Sequence, residues 1–204
     1  MNFRIPFSGR AHHYTEVEIT EAVRVMCEAV PLTQGKHLQA FEVLFREYAK
    51  IDYAFAISNA TAGLELAAQI CQFRMGDEVI IPSHTFTSSA YPFVKAGAHV
   101  IWADIDSDTR VVTAQTIESC ISARTRAVVV PHLYGFGADM PNIIMLAHTH
   151  GLLVVEDAAQ AVGVMIENQM AGTFGDVGVY SFHSHKNITT LGEGGMLTVK
   201  NPLW

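Results

Sequence analysis

The feature that most constrains the fold of this chain is a regular alternation. Short apolar runs rich in β-branched residues recur between longer segments whose apolar residues fall at helical spacing. Residues 16–30 and 38–49 carry the helical spacing, 53–57 reads as a strand and 61–71 as a helix. A strand over 78–81, a helix around 88–96 and a strand over 99–103 follow. Beyond them the pattern predicts a helix over 114–122, a strand over 127–130, a helix over 141–150 and a strand over 152–155. Strands over 176–182 and 195–199 complete the series. Because parallel strands need a crossover between them, this order predicts a layered α/β fold whose mostly parallel central sheet is flanked by helices. In such sheets the C-terminal ends of the strands are where ligands bind.

Composition narrows the class. With 204 residues, 50% hydrophobic and 16% charged, the chain can bury one sizeable core, and no repeat or Ser/Pro-rich linker divides it. The net charge of −7 and the scattering of thirteen Lys and Arg residues argue against a nucleic-acid footprint. The first six residues lack the apolar core of a signal peptide and no apolar run is long enough for a membrane span, so a cytoplasmic protein is expected. Cys27, Cys71 and Cys120 are odd in number and widely spaced, which points to buried structural thiols rather than a disulfide framework or a zinc site. His148 and His150 lie two apart on a predicted helix and face different directions, which argues against a joint metal site, and His12 and His13 have no readable partner pattern.

The chemistry-bearing residues cluster toward the C-terminal half. Lys186 sits among small and polar residues in Ser181-Phe182-His183-Ser184-His185-Lys186-Asn187, ahead of Gly192-Glu193-Gly194-Gly195. Asp157 follows the apolar run Leu152-Leu153-Val154-Val155 and Glu156. A lysine that forms a Schiff base must be partly deprotonated, and a fixed carboxylate can keep a pyridine ring protonated as an electron sink. The same residues admit plainer readings: Asp157 as a cap of the turn at 158–161, and Lys186 as a solvated surface charge. Glu156 reads as a structural acid. Ser181 and Lys186 have opposite parity, so the chain must leave the sheet and turn after Phe182 if both are to reach one site. Ser58-Asn59-Ala60-Thr61-Ala62-Gly63 joins a strand to a helix and offers backbone N–H groups to an anion, or simply caps the helix. Phe86, between a strand and a helix, is placed either to stack on a flat ring or to fill the core.

Taken in order and spacing, residues 58–62, 76–83, 132–135, 156–160 and 181–187 resemble the DegT/DnrJ/StrS family of nucleotide-sugar aminotransferases dependent on pyridoxal phosphate, and the likeness runs from near Ile5 to Lys200. The resemblance implies the large domain of the aspartate aminotransferase-like fold (fold type I) over residues 1–204, with the smaller C-terminal domain that normally follows the glycine-rich loop missing. It implies pyridoxal 5′-phosphate as cofactor. Ala60, Thr61 and Ser181 would meet its phosphate, Phe86 its ring, Asp157 the ring nitrogen and Gln160 the phenolic oxygen, with Lys186 as the catalytic, covalently attached residue. The family pattern usually has Gly at the position of Ala60 and often Thr at that of His185. The implied partners are a nucleotide-sugar substrate, an amino acid donor, glutamate in the family, and a second subunit that completes a homodimer. Lys186 separates this chain from the family's lysine-less dehydratase relatives. Two other classes stay open on sequence: a catalytically compromised fragment, and a regulatory protein that keeps the fold without the chemistry. The early stop also predicts exposed apolar surface, self-association and weak activity.

Overall fold

The computed structural model describes residues 13–28, 31 and 33–204. Helix α1 (Glu16–Cys27) opens on a capping box formed by Thr15 and Glu18, and α2 (Lys36–Ala49) ends on Lys50 in the left-handed region. Strand β1 (Tyr53–Ile57) then leads into α3 (Ala60–Ile70). Next come β2 (Glu78–Pro82), a single 3₁₀ turn at Thr87–Ser89, α4 (Tyr91–Lys95) and β3 (His99–Ala103). Helix α5 (Ala114–Glu118), β4 (Thr125–Pro131), α6 (Met140–His150) and β5 (Leu153–Asp157) extend the alternation. A small hairpin of β6 (Met165–Ile166) and β7 (Gln169–Met170) precedes β8 (Val177–Ser181) and β9 (Gly195–Val199).

Seven strands form one sheet in the order β1-β9-β8-β5-β4-β2-β3. All neighbours from β8 through to β3 are parallel, whereas β9 runs antiparallel to both β8 and β1. The expected mostly parallel α/β sheet is therefore present, with one reversed strand inside it. Every residue of β2, β8 and the reversed β9 is buried, as a sheet covered on both faces requires. Alternate residues feed opposite layers. Val79, Ile81 and Val129 pack with Leu64 and Ala67 of α3, while Ile80, Val128 and Val130 pack with Met140 and Ile143 of α6. A third cluster joins Phe45 of α2 to Tyr180, Phe182 and Met196, with Phe45 and Tyr180 in edge-to-face contact at 5.0 Å.

Several local expectations are corrected. The helix expected around 88–96 is interrupted, because Pro92 has no N–H to continue a ladder from the preceding turn, and α4 starts afresh beside it. The helix expected over 114–122 stops at Glu118, where the Ser119 hydroxyl turns back onto the Thr116 carbonyl at 2.9 Å. The β6–β7 hairpin went unpredicted because its turn residues Glu167 and Asn168 lack the usual Asn-Gly signal, although Glu167 takes φ 54° there. Cys27 is exposed rather than buried, since α1 buries none of its residues; Val17, Val23 and Met26 are exposed with it. Cys71 and Cys120 are partly buried against the core, and burial pushes the Cys71 thiol up to about 12. His12 and the end of the helix expected over 16–30 lie outside the described residues.

Candidate active site

The C-terminal ends of β2, β4, β5 and β8 and the start of α3 enclose a cavity of about 430 Å³. All seven residues singled out from sequence, Ala60, Thr61, Phe86, Asp157, Gln160, Ser181 and Lys186, line it.

At one end, α3 begins at Ala60 with Asn59 as N-cap, whose side chain accepts from the Ala62 N–H at 2.9 Å. Ala60 and Thr61 are first-turn residues whose N–H groups have no partner within the helix, so they present donors and the positive end of the dipole. Gly195 lets β9 pass close by: a Cβ there would stand 2.6 Å from the Tyr180 carbonyl oxygen and 3.1 Å from the Ala60 nitrogen. Ser181, the last residue of β8, is buried, and its hydroxyl oxygen accepts from the His183 N–H at 3.3 Å, leaving its proton to donate. The chain does leave the sheet there. Lys186 follows a turn in which its N–H donates to the His183 carbonyl at 2.8 Å.

Asp157 closes β5 and is 8% exposed. Its Oδ2 accepts from the Ser89 hydroxyl at 2.6 Å and its Oδ1 from the Ala159 N–H at 3.1 Å. The capping reading of Asp157 is thus half right, because one oxygen does serve the turn. Lys186 is half-buried; burial pushes its amine below the usual lysine range, and the Asp157 carboxylate pulls it partly back. The solvated-surface reading of this lysine does not match that setting. Phe86 is 67% exposed at the cavity wall, which excludes the core reading of this ring. Gln160 accepts from the Tyr134 N–H through its amide oxygen at 2.7 Å, so its NH₂ is the group left to donate.

Of a supporting layer beneath the site, sequence reasoning found only Glu156. Glu156 is fully buried and its carboxylate accepts from the N–H groups of Gly172, Phe174 and Gly175 and lies 2.9 Å from His132 Nε2. His132 Nδ1 accepts from the Ala138 N–H at 3.2 Å, so the ring's proton is on Nε2 and points at Glu156. Glu156 is the structural acid expected of it. Ser88 and Ser89 were also missed: Thr61 donates to the Ser88 hydroxyl at 2.9 Å, and Ser89 holds Asp157. The signal available was the density of hydroxyls in Ser83-His84-Thr85-Phe86-Thr87-Ser88-Ser89, directly after a strand. His185 is exposed on the cavity rim, with its ring 5.1 Å from that of His183, and His183 Nε2 lies 3.5 Å from Glu193.

Among the described residues no group of three or more His, Cys, Asp or Glu is arranged to hold a metal, and no helix is long and apolar enough to cross a membrane.

The donor set suits a phosphorylated, flat, cationic heteroaromatic aldehyde: amides and hydroxyls at one end, a buried carboxylate at the other, an exposed aromatic ring on the wall and a lysine with lowered proton affinity. Comparison with known proteins agrees with the class of molecule. The chain is 37% identical over 165 residues to the GDP-perosamine synthase of Vibrio cholerae, covering 81% of this chain and 45% of that one. The aminotransferase from Psychrobacter cryohalolentis superposes with a TM-score of 0.89 at 36% identity, covering 96% of this chain and 50% of its own. NtdA from Bacillus subtilis with bound cofactor PMP matches with a TM-score of 0.83 at 28% identity, over 92% of this chain and 43% of its own. The chain spans about half the length of the curated relatives it matches. A family model matches residues 13–204, and the chain belongs to the DegT/DnrJ/EryC1/StrS aminotransferase family.

Proposed function

We propose that this chain carries the cofactor site of an aminotransferase that uses pyridoxal 5′-phosphate to move an amino group from an amino acid, glutamate by the family resemblance, to a keto group of a nucleotide-linked sugar. The donor leaves as a 2-keto acid and the sugar ketone becomes an amine, so no external oxidant or reductant is needed. When bound, the cofactor supplies a conjugated ring that accepts the electron pair released at the reacting carbon.

The observation that carries this reading is the pairing, in one cavity, of a half-buried lysine of lowered proton affinity with a buried carboxylate. Lys186 is the group that would attach the aldehyde and afterwards carry the proton between carbons, since burial lowers the amine's hold on its proton and an unprotonated amine is both nucleophile and base. Asp157 would hold the proton of the ring nitrogen, Ala60, Thr61 and Ser181 would receive the phosphate, Phe86 would cover the ring face, and the Gln160 amide would donate to the phenolic oxygen. The perosamine-forming relative, named for a GDP-linked product, supports a nucleotide sugar as acceptor. The family resemblance further supports a cytoplasmic homodimer whose partner subunit completes the site, with residues 1–204 as its large, cofactor-binding domain.

The test is chemical. The chain is loaded with pyridoxal phosphate, reduced with borohydride, digested and mapped. The adduct is expected on Lys186, and Lys186→Ala should lose the visible absorption band while keeping its far-ultraviolet circular dichroism. An adduct on Lys36, Lys50, Lys95 or Lys200 instead would overturn the assignment.

A further inference from the structure

Ser89 is completely buried, yet it lines the cavity and spends its hydroxyl on Asp157. An ionised carboxylate can only accept, so the 2.6 Å contact commits the Ser89 proton to Asp157. The Thr85 hydroxyl, 2.7 Å from Ser89, must then be the donor in that second contact. The result is a one-way chain of hydroxyls from Thr85 through Ser89 to the carboxylate.

Resting on the cofactor reading above, we infer that Ser89 is a positioning residue that fixes the orientation of the Asp157 carboxylate toward the ring nitrogen. Ser89 holds one oxygen and the Ala159 N–H holds the other, so rotating the carboxylate breaks both bonds. Asp157 lines the cavity, and each of its oxygens keeps acceptor capacity beyond these two bonds. The turn that supplies Ser89 also supplies Ser88, the acceptor for Thr61 at the start of α3, and follows directly on Phe86. One five-residue segment, Thr85 to Ser89, thereby braces the ring-nitrogen end, the ring face and the phosphate end of the site together. A purely structural role would make Ser89 matter for folding and for nothing else.

The experiment compares the parent chain, Ser89→Ala and Thr85→Val. Each is titrated with pyridoxal phosphate, the pH dependence of the visible spectrum of the loaded protein is recorded, and the unliganded chains are melted. Loss of a charge-assisted hydrogen bond should weaken cofactor binding by Ser89→Ala about tenfold and displace the pH midpoint of the spectrum. Thr85→Val, which keeps the Ser89 donor, should shift the midpoint less and in the same direction. Parental affinity and parental pH profile in Ser89→Ala overturn the inference, whether or not its melting temperature falls. If Ser89→Ala does not fold, a parental pH midpoint in Thr85→Val overturns it. If the parent chain takes up no cofactor, the cofactor reading itself falls and the inference with it.

Discussion

Replacing Glu156 by Gln tests the layer beneath the site. Glu156 is fully buried, and its two oxygens serve four donors: the N–H groups of Phe174 and Gly175 on one, and those of Gly172 and His132 Nε2 on the other. Gln has the same shape but only one acceptor oxygen. Turned toward Phe174 and Gly175, it sets its NH₂ against the Gly172 N–H and the His132 Nε2–H. Moving the imidazole proton to Nδ1 gives no relief, since Nδ1 already accepts from Ala138. Two buried donors therefore lose their acceptor at about 1–3 kcal/mol each, roughly 2–6 kcal/mol together. For a domain of this size that corresponds to a melting temperature lower by roughly 4–24 °C. The assay is thermal and urea denaturation of Glu156→Gln beside Glu47→Gln, an exposed control on α2 that should melt with the parent. A Glu156→Gln protein that melts within about 2 °C of the parent would refute the hydrogen-bond reasoning.

Two further outcomes are expected. Gly195→Ala should lower the urea midpoint, by about 1–3 kcal/mol of overpacking, and weaken phosphate competition for the cofactor, because its Cβ would press on Tyr180 and on the first residue of α3; a parental midpoint and parental competition would show the approach to be slack. Burial holds the Lys186 amine below the usual lysine range, so between that lowered value and the usual lysine range the unfolded chain binds more protons at this site and stability contributed there rises with pH. In the same window Lys186 should react with amine-directed reagents ahead of Lys95, whose amine the Glu65 carboxylate holds protonated by a hydrogen bond; mass spectrometry that finds Lys95 labelled as fast as Lys186 would contradict this.

The alternation of β-branched runs and helical spacing was enough to determine the class of sheet, since burying both faces of parallel strands needs those residues in that order. It placed β1, β3 and β9 at their observed bounds. The motifs, read through the family resemblance, picked out seven side chains that share one cavity: Ala60, Thr61, Asp157 and Ser181 at a helix start or a strand end, and Phe86, Gln160 and Lys186 in the loops that follow strands. Tertiary structure alone decided the rest. The reversal of β9 depends on pairing across the sheet with β1 and β8, which no local pattern encodes. The exposure of Cys27 depends on what packs against α1, not on the helix's own periodicity. The hold of Ser89 on Asp157 spans sixty-eight residues and that of Glu156 on the 172–175 turn spans sixteen to nineteen. A buried carboxylate must find donors, so the chain announces the need; only the fold brings the donors to it.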